Sequence, residues 1–264
     1  MKTTTRTFKI GSTPCKAFLP GDGFIESAVL AVHGFSGSKD GSTIDMLARS
    51  LCPEGIAVYG FDFPAHGDNP LGGESLSVAA CSDALLSTAR YVRSEHPRTC
   101  KGVFATSFGG YMTLLCLDEL DDILDSPALV LKAPAVKMAE TFERVIVGDR
   151  MDLLKRQGYV ELGFGRKMNV RRELLDDLKG HDACRAYGRS MLVLHGDSDE
   201  VVAPADIDEF VGLNPLAKLV RIPGAGHEFS GEGQTEAVVE AAGAWFEASF
   251  DSVAPYQASM QDRP

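Results

Sequence analysis

Short, unbroken apolar runs punctuate the chain: AVLAV (28–32), IAVYGF (56–61), GVFA (102–105), ALVLK (128–132), MLVL (191–194) and LVRI (219–222). Val, Leu and Ile dominate them, without the polar alternation of a strand that has one wet face. The strands they predict are therefore covered on both sides, as parallel strands are. Helical spacing fills the intervals. Ile44, Leu47, Ala48 and Leu51 share a face between the first two runs, and Val78, Leu85, Ala89 and Val92 share one before the third. Residues 107–121 read as one compact helix and 204–212 as another, while Val239, Ala242, Phe246 and Phe250 stripe a last one. Strand, helix, strand in succession predicts a mostly parallel, doubly wound α/β sheet. Ahead of it, RTFKI (6–10) and CKAFL (15–19) predict an antiparallel hairpin on the sheet edge. Beyond Phe250 the chain turns polar and reads as a loose tail.

One interval breaks the rhythm. From Val136 to about Gly188 the chain is too long for an ordinary βα connection, so 136–188 reads as an insertion into a core of 1–135 and 189–264. It is charged yet carries Met138, Phe142, Val145, Met151, Leu154, Tyr159, Leu162, Phe164 and Met168. These predict a small helical subdomain that packs its own apolar side and serves as a cap over the carboxyl ends of the strands, where open α/β sheets place ligands. Phe142, Tyr159 and Phe164 are the candidate walls of the pocket beneath it.

Composition narrows the classes. With 26 Lys and Arg against 37 Asp and Glu the formal charge is −11, and no basic tract relieves it, which argues against nucleic acid and anionic membranes as partners. No window approaches the ~20 continuous apolar residues of a membrane span. The opening MKTTTRTFKIGSTPCKAF has no long apolar run, so no secretory signal is expected. Six cysteines lie scattered without a C-x-x-C pair, so neither a disulfide framework nor a zinc site is expected, and a cytoplasmic location fits. No metal and no other cofactor is implied.

The chemistry gathers at strand ends. GVFA leads into Thr106-Ser107-Phe108-Gly109-Gly110 and a helix, so that small–x–Ser–x–Gly spans a strand-to-helix turn. Such a turn is tight enough to demand small residues two places either side of the serine, here Ala105 and Gly109, and it sets the hydroxyl at its tip. The commoner reading of a serine before a helix is a simple N-cap. The neighbours decide between the two. His33-Gly34-Phe35-Ser36-Gly37 follows the first apolar run as a glycine-rich turn. The fifth run leads into His195-Gly196-Asp197-Ser198-Asp199-Glu200, which offers three carboxylates at Asp197, Asp199 and Glu200. The sixth leads to Gly224-Ala225-Gly226-His227. Serine, acid and histidine thus follow one another on three different strands, in the chain order of a nucleophile, an orienting carboxylate and a base.

On these motifs the sequence resembles the α/β-hydrolase superfamily along essentially its whole length. Phe61-Asp62-Phe63-Pro64-Ala65-His66-Gly67-Asp68 is similar to the family's D-x-P-x-H-G-x-S loop, with Asp68 where Ser is common. Within the superfamily the chain resembles bacterial cinnamoyl and feruloyl esterases, and also serine aminopeptidase-like and monoacylglycerol lipase-like hydrolases. The resemblance implies an α/β-hydrolase fold with a helical cap, and an acyl-enzyme mechanism in which Ser107 is the nucleophile, His227 the base and Asp199, at the H-G-x-x-D spacing, the acid. It implies oxyanion donors in the backbone N–H groups of Phe35 and Phe108. His33, His66 and His195 take structural places. The expected partner is a small-molecule ester with a hydrophobic or aromatic, hydroxycinnamoyl-type acyl group, whose phenol Tyr159 could bond; a homodimer is left open. Three rivals use the same parts: a thioesterase, an acyltransferase, or a peptidase with Glu140 or Glu143 as cap carboxylates. A ligand-binding protein on the same fold without catalysis is the fourth.

Overall fold

The computed structural model describes residues 3–21, 23–164 and 166–261, with the side chains of 164 and 253–261 excepted. In chain order the strands are β1 (Thr3–Ile10), β2 (Thr13–Pro20), β3 (Ser27–Val32), β4 (Ile56–Phe61), β5 (Cys100–Thr106), β6 (Ala128–Lys132), β7 (Tyr159–Phe164), β8 (Arg166–Arg171), β9 (Met191–Gly196) and β10 (Ala217–Ile222). Eight of them form one sheet in the order β1-β2-β4-β3-β5-β6-β9-β10. The six apolar runs are its parallel part, and the opening hairpin joins antiparallel through β2 and β4. The helices are α1 (Ser42–Leu51), α2 (Val78–Glu95), α3 (Phe108–Leu115), α4 (Leu117–Leu124), α5 (Met138–Thr141), α6 (Met151–Gln157), α7 (Arg172–Lys179), α8 (Pro204–Leu213) and α9 (Gln234–Gln261).

Alternate residues of a strand face opposite sides, so each run feeds two cores. In β3, Ala28, Leu30 and Val32 pack with α2, α3 and α4, while Val29 and Ala31 pack with α1 and α9. That division is why the runs carry no polar alternation. Close approach of α9 is set at Gly102: a Cβ there would sit 2.6 Å from the Phe246 ring.

Three expectations need correction. The single helix over 107–121 is broken at Cys116, and the new direction lets Leu117, Leu120 and Leu124 bury with α2. The last helix does not stop at Phe250, where its apolar stripe ends, but runs to Gln261; once packed turns have nucleated a helix, extending it is cheap. The insertion is not wholly helical, since it contains the β7–β8 hairpin. Val160, Leu162, Met168 and Val170 are buried there and Glu161, Lys167 and Asn169 exposed, a period of two that the helical reading missed.

The insertion is fastened to the core. Asp177 on α7 accepts the N–H of Val78, the first residue of α2, at 2.7 Å. Lys137 pairs with Asp206 and Glu209 on α8 at 3.1 and 2.7 Å. Among the described residues no helix is long and apolar enough to cross a membrane.

Gly102→Ala is expected to lower stability by about 1–3 kcal/mol through overpacking against Phe246. A fall in the urea midpoint at unchanged slope checks this; an unchanged midpoint would mean that α9 moves aside freely.

Candidate active site

Ser107 joins β5 to α3 with φ 51° and ψ −114°, a conformation that L residues rarely adopt. Three backbone hydrogen bonds hold it there. Its N–H donates to the Lys132 carbonyl at 2.9 Å, and its own carbonyl accepts from Tyr111 at 3.0 Å and Ala135 at 3.1 Å. The need for small neighbours is steric. A Cβ on Gly109 would lie 2.5 Å from the His33 carbonyl oxygen, and one on Gly34 would lie 3.2 Å from Ser107 Cβ. The glycine-rich turn after β3 is therefore pressed against the elbow.

Ser107 Oγ lies 2.9 Å from His227 Nε2, and His227 Nδ1 lies 2.9 Å from Asp199 Oδ2. With the ring proton on Nδ1, donated to the carboxylate, Nε2 is left to accept from the hydroxyl. Of the three carboxylates after β9, Asp199 alone reaches the ring; the Asp197 carboxylate accepts the Gly224 N–H at 2.7 Å and shapes the turn. The other oxygen of Asp199 accepts from the N–H groups of Val201 and Val202 at 2.9 and 2.8 Å. Burial pushes this carboxyl up, but the His227 hydrogen bond, its charge and the two amides outweigh burial, so its pKa lies below the usual value. Arg144, from the insertion, donates to the Val201 carbonyl at 2.7 Å and ties the loop that carries Asp199 to the inserted segment.

The surrounding histidines are neutral by construction. Phe63 N–H donates to His33 Nε2 at 3.1 Å, so the His33 proton is on Nδ1, directed at the Gly34 carbonyl at 2.7 Å. Burial pushes His33 down to about 4, and burial, with the repulsion that a second positive ring beside His33 would meet, takes His66 to about 3. His195 is fully buried 3.8 Å from Asp199 and is likewise pushed down by burial, to about 4. Beside them the fully buried Asp62 accepts the Lys39 N–H at 2.7 Å, the Asp68 N–H at 2.9 Å and the Lys39 ammonium at 3.1 Å. Asp68, standing where Ser is common, accepts from the same ammonium at 2.6 Å and so adds countercharge.

A cavity of about 350 Å³ opens over Ser107 and His227, with Phe35, Ile44, Met138, Val145, Ile146 and Val201 as apolar walls. Phe35 borders it, and Phe108 opens α3 directly after the serine, its ring buried against Phe35 and Phe63. Two expected wall residues are elsewhere. Phe142 is buried behind the wall against Phe35 because the π-helical turn 142–147 directs Val145 and Ile146 to the cavity instead. Tyr159 is 46% exposed on the outer face of β7, in a depression with Glu74 and Arg171. The side chain of Phe164 lies outside the described residues. Neither Glu140 nor Glu143 borders the cavity; Glu143 pairs with Lys179. Sequence reasoning missed Lys132 and Glu228, the charged side chains that do border it. A lysine closing an otherwise apolar strand was the available signal. Among the described residues no group of three or more His, Cys, Asp or Glu is placed to hold a metal ion.

A serine on a strand-to-helix elbow, with histidine and carboxylate delivered by later loops of a mostly parallel eight-stranded sheet, defines an α/β-hydrolase fold. The alpha/beta hydrolase family profile matches residues 29–241, and the chain belongs to that family. In fold it is similar to Est1E of Butyrivibrio proteoclasticus, solved with ferulic acid bound, at 22% identity over 94% of this chain and 99% of that one, with a TM-score of 0.77. It is likewise similar to mouse alpha/beta hydrolase domain-containing protein 10 (12% identity, 93% and 99% covered, TM-score 0.71). The esterase domain of a Rhodothermus marinus protein matches at 19% identity, with 93% and 98% covered and a TM-score of 0.66. A comparison with curated proteins finds no match.

The neutral histidines have a cost at low pH. Below about pH 6.5 the unfolded chain takes up protons on His33, His66 and His195, whereas the native chain refuses them until about pH 4, or 3 for His66. Stability present above pH 6.5 is therefore lost as the pH falls, by roughly 1–2 kcal/mol per ring between pH 7 and 5. A urea midpoint that declines across this window checks the assignment, and a flat one would contradict it.

Proposed function

We propose that the protein is a serine hydrolase of carboxylic esters that works through an acyl-enzyme. The observation that carries the reading is the unbroken run of contacts from the Ser107 hydroxyl through His227 to Asp199, 2.9 Å at each step. A serine hydroxyl is a poor nucleophile unless a base takes its proton. As Oγ bonds to the ester carbon, its proton passes to His227 Nε2, and Asp199 steadies the imidazolium without becoming protonated. The oxyanion is held by the backbone N–H groups of Phe35 and Phe108, each worth about 3 kcal/mol to the transition state. Collapse expels the alcohol oxygen, which takes the proton from His227. Water then bonds to the acyl carbon as its proton passes to His227, and collapse breaks the bond to Ser107 Oγ, which takes the proton back as the free acid leaves.

The apolar walls favour a hydrophobic or aromatic acyl group, and hydroxycinnamoyl esters are the first to try, because of the motif resemblance and the fold shared with a protein solved with ferulic acid bound. The elbow itself speaks against a purely ligand-binding role, since strained backbone at a cavity persists where a mechanism uses it.

A fluorophosphonate probe is expected to label Ser107 in folded protein. Ser107→Ala is expected to lose label and to lose ester turnover by a factor on the order of 10⁴ or more. Nitrophenyl butyrate and methyl ferulate are the substrates for that comparison. Activity retained in Ser107→Ala would overturn the reading.

A further inference from the structure

Lys132 is the last residue of β6 and only 3% exposed, yet its side chain borders the cavity that holds Ser107 and His227. Its carbonyl already holds the Ser107 N–H, so the ammonium stem starts one residue's breadth from the elbow. Burying an ammonium costs several kcal/mol unless a carboxylate or other acceptors replace the lost water. Elsewhere in this protein the rule is kept: buried Lys39 has three carboxylates, and buried Lys101 has the His96 and Thr99 carbonyls. Lys132 departs from it. Its ammonium stands 4.5 Å above the centre of the Phe229 ring, and Glu228 and Asp199 act on it only through space, with no ion pair or hydrogen bond among the described residues. Burial accordingly outweighs both carboxylates and favours loss of its proton. Among the described residues around the cavity it is the one lysine or arginine, and Glu228 is the one aspartate or glutamate.

We propose that Lys132 is a specificity residue that receives a carboxylate carried by the substrate, so that the preferred esters are anionic ones. This rests on the ester-hydrolase reading above and narrows its substrate class. The incoming carboxylate supplies what the fold omits, an ion pair for an ammonium at the wall of the cavity. Phe229 shields one face of the ammonium and leaves the cavity side for the ligand. Glu228, exposed at the cavity, repels a misplaced anion and keeps a second negative group out.

Two ester pairs test this. 4-Nitrophenyl hydrogen adipate and 4-nitrophenyl hexanoate share a chain length and differ in a terminal carboxylate on the acyl side. 3-Carboxyphenyl butanoate and phenyl butanoate place the difference on the alcohol side. The unaltered protein is expected to favour the anionic member of at least one pair, chiefly through KM. Lys132→Met is expected to lose about tenfold to a hundredfold more kcat/KM on that anionic ester than on its neutral partner, the range for a charge-assisted hydrogen bond. Lys132→Arg should recover part of the preference. Equal losses on both members of each pair in Lys132→Met would overturn the proposal, because Lys132 would then act by holding Phe229 and the His227 loop. No preference in the unaltered protein would overturn it too. Calorimetry on Ser107→Ala with the same four esters keeps the two readings apart. If the unaltered protein turns over none of them and Ser107 takes no label, ester hydrolysis fails. A preference for the anionic ligand that disappears in Ser107→Ala/Lys132→Met would still support the anion site, and its absence would count against the site alone.

Discussion

The turn at Ser107 is the constraint around which the other parts are arranged. A non-glycine residue at φ 51° is held there by hydrogen bonds to three segments: the end of β6, the first turn of α3 and the loop after β6. Each bond recruits a structural demand. The bond to the Lys132 carbonyl needs β5 and β6 in parallel register, which the Thr106–Lys132 pairing supplies. Packing the turn after β3 beneath it needs glycine at 34 and 109. A sheet that delivers strand ends to one edge then brings the loops after β9 and β10 to the same hydroxyl.

Around that turn the polar groups are sorted by charge. Three buried histidines are kept neutral by burial, so they shape the loops after β3, β4 and β9 without competing for protons at neutral pH. Lys39 gathers the carboxylates of the loop after β4 into a compensated cluster. Asp199 keeps its charge because two amides and an imidazole replace the water it lost. The Lys132 ammonium at the cavity has the Phe229 ring beside it and no carboxylate in an ion pair, and that is why it points to a ligand rather than to stability.

The insertion illustrates how far local pattern reaches. Its apolar content correctly signals packing, but which apolar residue faces the cavity depends on a π-helical turn and on a hairpin. Phe142 goes into the core, and Val145 and Ile146 face the site. Tyr159 alternates outward because Val160 and Leu162 must be inward. A helical period assigned to this stretch inverts such choices, since one residue of shift moves a side chain to the other face.

The amino-acid order by itself determined the strand runs, the parallel sheet and the small-residue turn at Ser107, because these follow from hydrophobic period and from short-range steric needs such as a small residue at 105 and 109. Which carboxylate meets the histidine came only by resemblance, and its 2.9 Å contact belongs to the fold. The cavity walls, the break at Cys116 and the place of Lys132 beside the Phe229 ring were decided by tertiary packing alone. Burial and pairing are properties of segments far apart in the chain, and no local pattern records which of them will meet.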